Sequence, residues 1–143
     1  KDEKWYINTN QSFAFADGIV TASYGTATPK AHADRNGTDR DGVELNPIVV
    51  IEGLKTKLIK NLKAQVAGIL SETDWYITRN TEKSTAIPSS VSTHRDAVRT
   101  KQAAMETAIT NAADTAALET LYTYTTTDGV QSRPLGELPV LES

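Results

Sequence analysis

The sequence predicts an α+β protein: a small N-terminal β-hairpin head over residues 1–46, then a module over residues 47–143 holding an antiparallel helical hairpin, a short third helix and an extended tail. Three observations carry that expectation. Asp17-Gly18 lies between two β-prone runs, Ser12 to Phe15 and Ile19 to Tyr24, and Asp-Gly supplies the positive φ values of a two-residue hairpin turn. Apolar residues recur at steps of three and four from Ile51 to Ile69 and again from Val91 to Ala112, the spacing of one helical face. Between those segments the chain is polar for long enough to swing back, so the helices are expected to run antiparallel.

Composition narrows the function classes. A chain of 143 residues suits one core, or a small head on a helical body. Its net charge is only −3 with 23% charged residues, so no field collects polyanions, and neither nucleic acid nor an anionic membrane is an expected partner. Basic residues are not interleaved with aromatics as in single-strand binders. Cysteine is absent, which removes disulfides, thiolate metal sites and thiol nucleophiles together. The longest apolar run, Ile48 to Ile51, is too short to span a bilayer, and nothing in the first residues resembles a charged segment leading into an apolar one. Hydrophobic residues reach 38%, low for a self-sufficient globule, so a partner is expected to complete the core.

In chain order, Lys4-Trp5-Tyr6-Ile7 is short, aromatic and β-prone. A lone hairpin is marginal in water, so the aromatic face of residues 12–24 is expected to pack on something. Gly25 to Asn46 reads as a loop. Within it, Asp34 to Gly42 crowds carboxylates among glycines, but Asp39 occupies the sixth place, where a calcium loop needs Gly, and Arg35 and Arg40 cancel charge. A solvated turn is expected there, with no metal and no cofactor.

Pro47 is expected to open the first helix with Asn46 as its cap. Ile51, Leu54, Leu58, Leu62, Val66 and Ile69 form its stripe. Gly53 and Gly68 each cost about 1 kcal/mol relative to Ala. Trp75, just past the helix end, is expected to fold back on that stripe as a structural anchor. Thr78 to Ala86 reads as a polar crossing, and Ile87-Pro88 marks the second helix start. His94 on its Ala-rich face is expected to be partly buried and bonded to a neighbour, because His32, the other histidine, lies in a loop without a matching ligand set. Arg95 and Arg99 stand one turn apart, placed to stack on Trp75 or to pair with Asp74.

Asp114 is a cap for a short third helix with Leu118, Leu121 and Tyr122 on one side. Thr123 to Ser132 reads as a second small hairpin about Asp128-Gly129. The tail from Arg133 to Leu141 is apolar and punctuated by proline, and Leu138 and Leu141 are expected to seat it in a groove of its own domain or of a neighbour's. Catalysis is not expected. No Gly-x-Ser-x-Gly elbow, phosphate loop or dinucleotide fingerprint is present, and carboxylates such as Glu72 and Asp74 indicate nothing without a pocket.

One stretch carries a resemblance. The run Val66-Ala67-Gly68-Ile69-Leu70-Ser71-Glu72-Thr73-Asp74-Trp75, a polar excursion, then His94-Arg95-Asp96-Ala97-Val98-Arg99 resembles the C-terminal module of small tail-associated proteins of tailed bacteriophages, among them tail-fibre assembly proteins and tail assembly chaperones. In that module a helix ends in Leu-Leu-x-x-Thr-Asp-Trp and a second bears Tyr-Arg-x-Ala-Leu-Arg. Forms with Asp-Trp-Tyr and Ile-Pro are matched at Asp74-Trp75-Tyr76 and Ile87-Pro88. The resemblance spans residues 47–122. His94 stands where the family has Tyr, and Leu138-Pro139 replaces its Trp-Pro ending.

The resemblance implies a binding protein of the phage tail or its fibres, made in the host bacterial cytoplasm and resident in the virion. Its partners would be copies of itself and other tail proteins. Trp75, Asp74, Arg95, Arg99, Leu138 and Leu141 would be its anchoring and partner-binding residues. Two alternatives stand beside it: a soluble assembly factor that departs, and a receptor- or glycan-binding module using Trp5, Tyr6 and Tyr24.

Overall fold

The computed structural model describes residues 1–141. Two long helices form the body: α1 (Leu54–Ser71) and α3 (Ser89–Asn111), joined through a shorter α2 (Asp74–Lys83), with α4 (Thr115–Tyr122) closing one end. The α1–α3 pair is antiparallel. Lys55 Nζ donates to the Thr110 carbonyl at one end (2.8 Å), and Arg95 reaches the Leu70 carbonyl at the other (2.7 Å).

Leu58, Leu62 and Val66 of α1 meet Val98, Met105 and Ile109 of α3 in the core, each side chain contributing about 1.5–3 kcal/mol by leaving water. These are the residues the three-and-four spacing selects. Val91 and His94 of the second stripe are buried as well. Asp114 caps α4 as expected, its Oδ1 accepting from the Ala117 amide at 2.8 Å.

Two boundaries differ from the sequence expectation. The first helix does not open at Pro47 under an Asn46 cap, because β-branched Val50–Ile51 pairs instead as β6 with β5 (Arg35–Asn36). Ile51 therefore lies outside the stripe. Gly53 is the cap, and the loop supplies what its missing side chain cannot: Asp34 Oδ1 accepts from the Gly53 amide (2.7 Å), and the Ala31 and His32 carbonyls accept from Leu54 and Lys55. A Cβ on Gly53 would sit 2.4 Å from the Ala33 carbonyl carbon. The calcium-like run thus begins with a helix-capping carboxylate.

The second difference is α2, where a polar crossing was expected. None of its residues is fully buried, and its only apolar side chains, Trp75, Tyr76 and Ile77, are consecutive, so no repeat at steps of three and four marks it. Local bonds hold it, Thr81 Oγ1 to the Ile77 carbonyl among them, and Ser84 ends it in the left-handed conformation.

The β elements are all two-stranded. β2 (Ser12–Ala16) pairs with β3 (Ile19–Ser23) about Asp17-Gly18, and β7 (Thr125–Thr127) with β8 (Val130–Ser132) about Asp128-Gly129. All four turn residues have positive φ, as the type I′ turn requires. β1 (Tyr6–Ile7) pairs with β4 (Thr28–Pro29) in the same register as β2 with β3. The two ladders are one ribbon, interrupted at a Gly25 amide to Thr9 carbonyl bond.

The root of that ribbon is built into the helical core. Trp5 and Tyr6 are buried with Leu62, Ile109 and Leu118, and Trp5 packs on Tyr122 with ring centroids 5.5 Å apart. Tyr6 Oη donates to Glu119, and the buried Thr115 hydroxyl donates to the Lys30 carbonyl. At the ribbon tip, by contrast, every residue of β2 and β3 is exposed.

Candidate functional site: an apolar arm and a helix junction

Strand alternation and register sort the tip into two unlike faces. Phe13 pairs with Ala22 and Phe15 with Val20, so these four side chains share one face. Ser12, Ala14, Ala16, Ile19, Thr21 and Ser23 lie on the other, where the two serine hydroxyls meet at 2.8 Å and Ile19 is the one large apolar side chain. Phe13 is 67% exposed, Phe15 74% and Val20 64%. An apolar face was expected to be packed on something, and within this chain it is not.

The surface as a whole tells the same story. The chain exposes 10010 Å², whereas a folded monomer of 15.5 kDa exposes about 7,200 Å². The surplus is about 2,800 Å².

The second feature is the junction of α1, α2 and α3. The end of α1 brings Leu70 and Thr73 beside the first turns of α3, and the start of α2 adds Asp74. Arg95, nearly buried, joins all three: Nη1 donates to the Leu70 carbonyl and to Thr73 Oγ1, both at 2.7 Å, and Nη2 pairs with Asp74 Oδ1 at 2.9 Å. The proposed Asp74–Arg95 pair is therefore present. Arg99 does not join it; exposed, it lies 3.6 Å from Asp96.

Trp75 is also a correction. It does not fold back on the α1 stripe but stands 51% exposed on α2, stacked on Tyr76 at 3.8 Å, with Arg79 above it at 5.8 Å. The stacking cation is thus Arg79 rather than Arg95 or Arg99. The reason is helical phase: α2 begins at Asp74, so the ring leaves on the side away from the stripe. Trp5 takes the clamping role instead. Because Trp5 and Tyr6 are buried, they offer no platform to a sugar, which leaves only Tyr24 of that trio exposed.

The tail runs back along the body. Leu135 is buried and Leu138 is packed against the core, while Val140 and Leu141 flank a shallow cavity of about 400 Å³ beside Ser89, Thr93 and His94 of α3. Leu141 remains exposed. Arg133 secures the tail start: it pairs with Glu137 at 2.8 Å and lies over the Tyr122 and Tyr124 rings. Tyr124 donates to Glu137 at 2.5 Å, and that bond to a carboxylate raises its pKa. Burial raises that of Tyr122.

No three His, Asp or Glu side chains gather as a metal set among the described residues, and no helix there is long and apolar enough to cross a membrane. What the arrangement offers chemically is contact: an apolar arm, an exposed aromatic pair and an apolar tail. In the sequence, the alternation of Phe13 and Phe15 with Ala14 and Ala16 is the signal of this arm face.

Fold and surface together define a class: a helical-hairpin body, rooted by aromatic residues, from which an exposed β arm projects. Comparison with family models, curated proteins and solved structures found no significant match to the chain.

Proposed function

We propose that the chain is a structural subunit of a bacteriophage tail or tail fibre, acting by contact with copies of itself and with other tail proteins. The observation that carries this reading is the surplus surface. About 2,800 Å² beyond the needs of its mass exceeds the roughly 1,000–2,500 Å² that each partner of an obligate interface buries, and the exposed surface includes apolar side chains of the arm, of Val49 to Ile51, of Trp75 and of Val140.

The resemblance to tail-associated proteins supplies the phage context. In support, its two halves meet in space, since Arg95 of the second motif holds Leu70, Thr73 and Asp74 of the first. A resident subunit fits better than a departing assembly factor, because a permanently formed apolar arm on a free protein is an aggregation liability. In a particle it stays covered.

Mass spectrometry of purified particles of the phage that encodes the chain tests this reading. The chain is expected in amounts stoichiometric with a tail protein. Its presence in infected cells together with absence from particles would transfer the assignment to an assembly factor.

A further inference from the structure

We infer that the arm docks on the same arm of a second copy of this chain, apolar face on apolar face, about a two-fold axis parallel to the strands. This deepens the reading of the chain as a self-associating subunit and rests on that part of it, not on the phage assignment.

The first argument is the shape of the face. It is built of a large row and a small row: Phe13 and Phe15 on β2, and their cross-strand partners Ala22 and Val20 on β3. A rotation about an axis parallel to the strands sets β2 of each copy over β3 of the other and keeps each residue at its height along the strand. Phe13 then lies over the other copy's Ala22, and Phe15 over its Val20. Large meets small at every position, the condition for two sheets to interdigitate at about 10 Å. The face is its own complement, as an isologous contact requires.

The second argument is that the packed face itself carries no charge. Phe13, Phe15, Val20 and Ala22 are all uncharged, so no ionised group is taken out of water where the two faces meet, and Asp17 lies at the turn, beyond the face. An isolated two-stranded ribbon is marginal in water, yet this one is rooted in the core by Trp5 and Tyr6 and extends about 30 Å from Asn8 to its turn.

Area is the third. Covering the four side chains on both copies removes roughly 900 Å², short of the 1,200 Å² or so of a specific interface. Tyr24, 55% exposed and two residues beyond Ala22, adds roughly 200 Å² over two copies and brings the contact to about the lower limit of a specific interface. A contact at that lower limit is expected to be weak and transient, with the dimer populated in the micromolar range.

Analytical ultracentrifugation of the full chain and three variants tests the geometry, with helical circular dichroism as the control for folding, since the arm lies outside the core. Wild type is expected to dimerise. Phe13→Ser with Phe15→Ser is expected to weaken the dimer by at least about 100-fold. Val20→Phe sets Phe against Phe and is expected to weaken it by about 10-fold or more despite a more apolar arm. Phe15→Val combined with Val20→Phe exchanges the two sizes, restores large against small and is expected to recover wild-type affinity.

A dimer that survives loss of both phenylalanines overturns the arm as its seat but leaves self-association standing. A dimer tightened by Val20→Phe, or one not rescued by the exchange, overturns the row-on-row stacking. A wild-type chain that stays monomeric throughout the micromolar range overturns this inference and self-association together, whatever the particle analysis finds.

Discussion

Replacing Arg95 by Ala separates the buried part of the α1–α2–α3 junction from its exposed part. The guanidinium is 8% exposed, whereas the Asp74 carboxylate is 59% exposed. A hydrogen bond to a charged group contributes about 1.5–3 kcal/mol when buried, and an exposed ion pair about 0.2–1 kcal/mol. Removing Arg95 leaves the Leu70 carbonyl satisfied, because the Thr73 amide and hydroxyl still donate to it at 3.2 and 3.1 Å, and the buried Thr73 hydroxyl, which loses the Arg95 donor, keeps that bond. The loss is therefore that of the charge-assisted bonds and of the packed stem, about 3 kcal/mol in all. For a chain of this size that lowers Tm by about 10 °C.

Asp74→Asn removes only the screened pair and is expected to cost less than about 1 kcal/mol. Urea denaturation followed by circular dichroism, on both single variants and the double, measures the asymmetry and the coupling. The coupling should stay below about 1 kcal/mol. Equal costs for Arg95→Ala and Asp74→Asn, or an Arg95→Ala protein within about 0.5 kcal/mol of wild type, would refute the argument that the Leu70 and Thr73 bonds hold the junction.

The two glycines of the α1 region should respond in opposite senses to Ala. Gly53→Ala drives a Cβ into the Ala33 backbone and is expected to cost about 2 kcal/mol or more, whereas Gly68, with nothing within 4 Å of the added atom, should gain about 0.5–1 kcal/mol; thermal melts read both. Trp5→Ala is expected to cost about 3–5 kcal/mol and Trp75→Ala less than about 1 kcal/mol, and a reversed order in denaturant titrations would return the clamp to Trp75. Asp34 is held below the usual carboxyl range by the Gly53 amide first and the Thr56 hydroxyl second. Its contribution is fully present above the unfolded carboxyl pKa and is lost as pH falls through the lower folded value. Asp34→Ala should therefore lower Tm at neutral pH and flatten its decline on the acid side.

Much of the body was legible because burial imposes periodicity. Leu58, Leu62 and Val66 on one helix and Val98, Met105 and Ile109 on the other fall at steps only a helix turns to one side. Asp17-Gly18, Asp128-Gly129 and Asp114 were legible for a different reason: a turn or a cap depends on a few adjacent residues. The helix α2 was not legible, since its three apolar residues, Trp75, Tyr76 and Ile77, are consecutive and repeat over no further turn.

The start of α1 escaped for the opposite reason. Its amides are satisfied from a distance, by Asp34, Ala31 and His32, so Asn46 and Pro47 looked like a local answer to a question settled elsewhere. The aromatic residues show the same divide. Composition offers two tryptophans of equal appetite for burial, and only the packing against Tyr122 and Leu118 chose Trp5 and left Trp75 outside.

The sequence by itself determined the helical faces, the turns and the α4 cap, because those depend on residues within a few positions of one another. Tertiary structure decided which tryptophan anchors, where α1 begins, that β1 and β4 extend the hairpin into one rooted arm, and that the arm's Phe face stays exposed. Each of these turns on which distant surfaces meet and exclude water, and that quantity is not carried by any one stretch of chain.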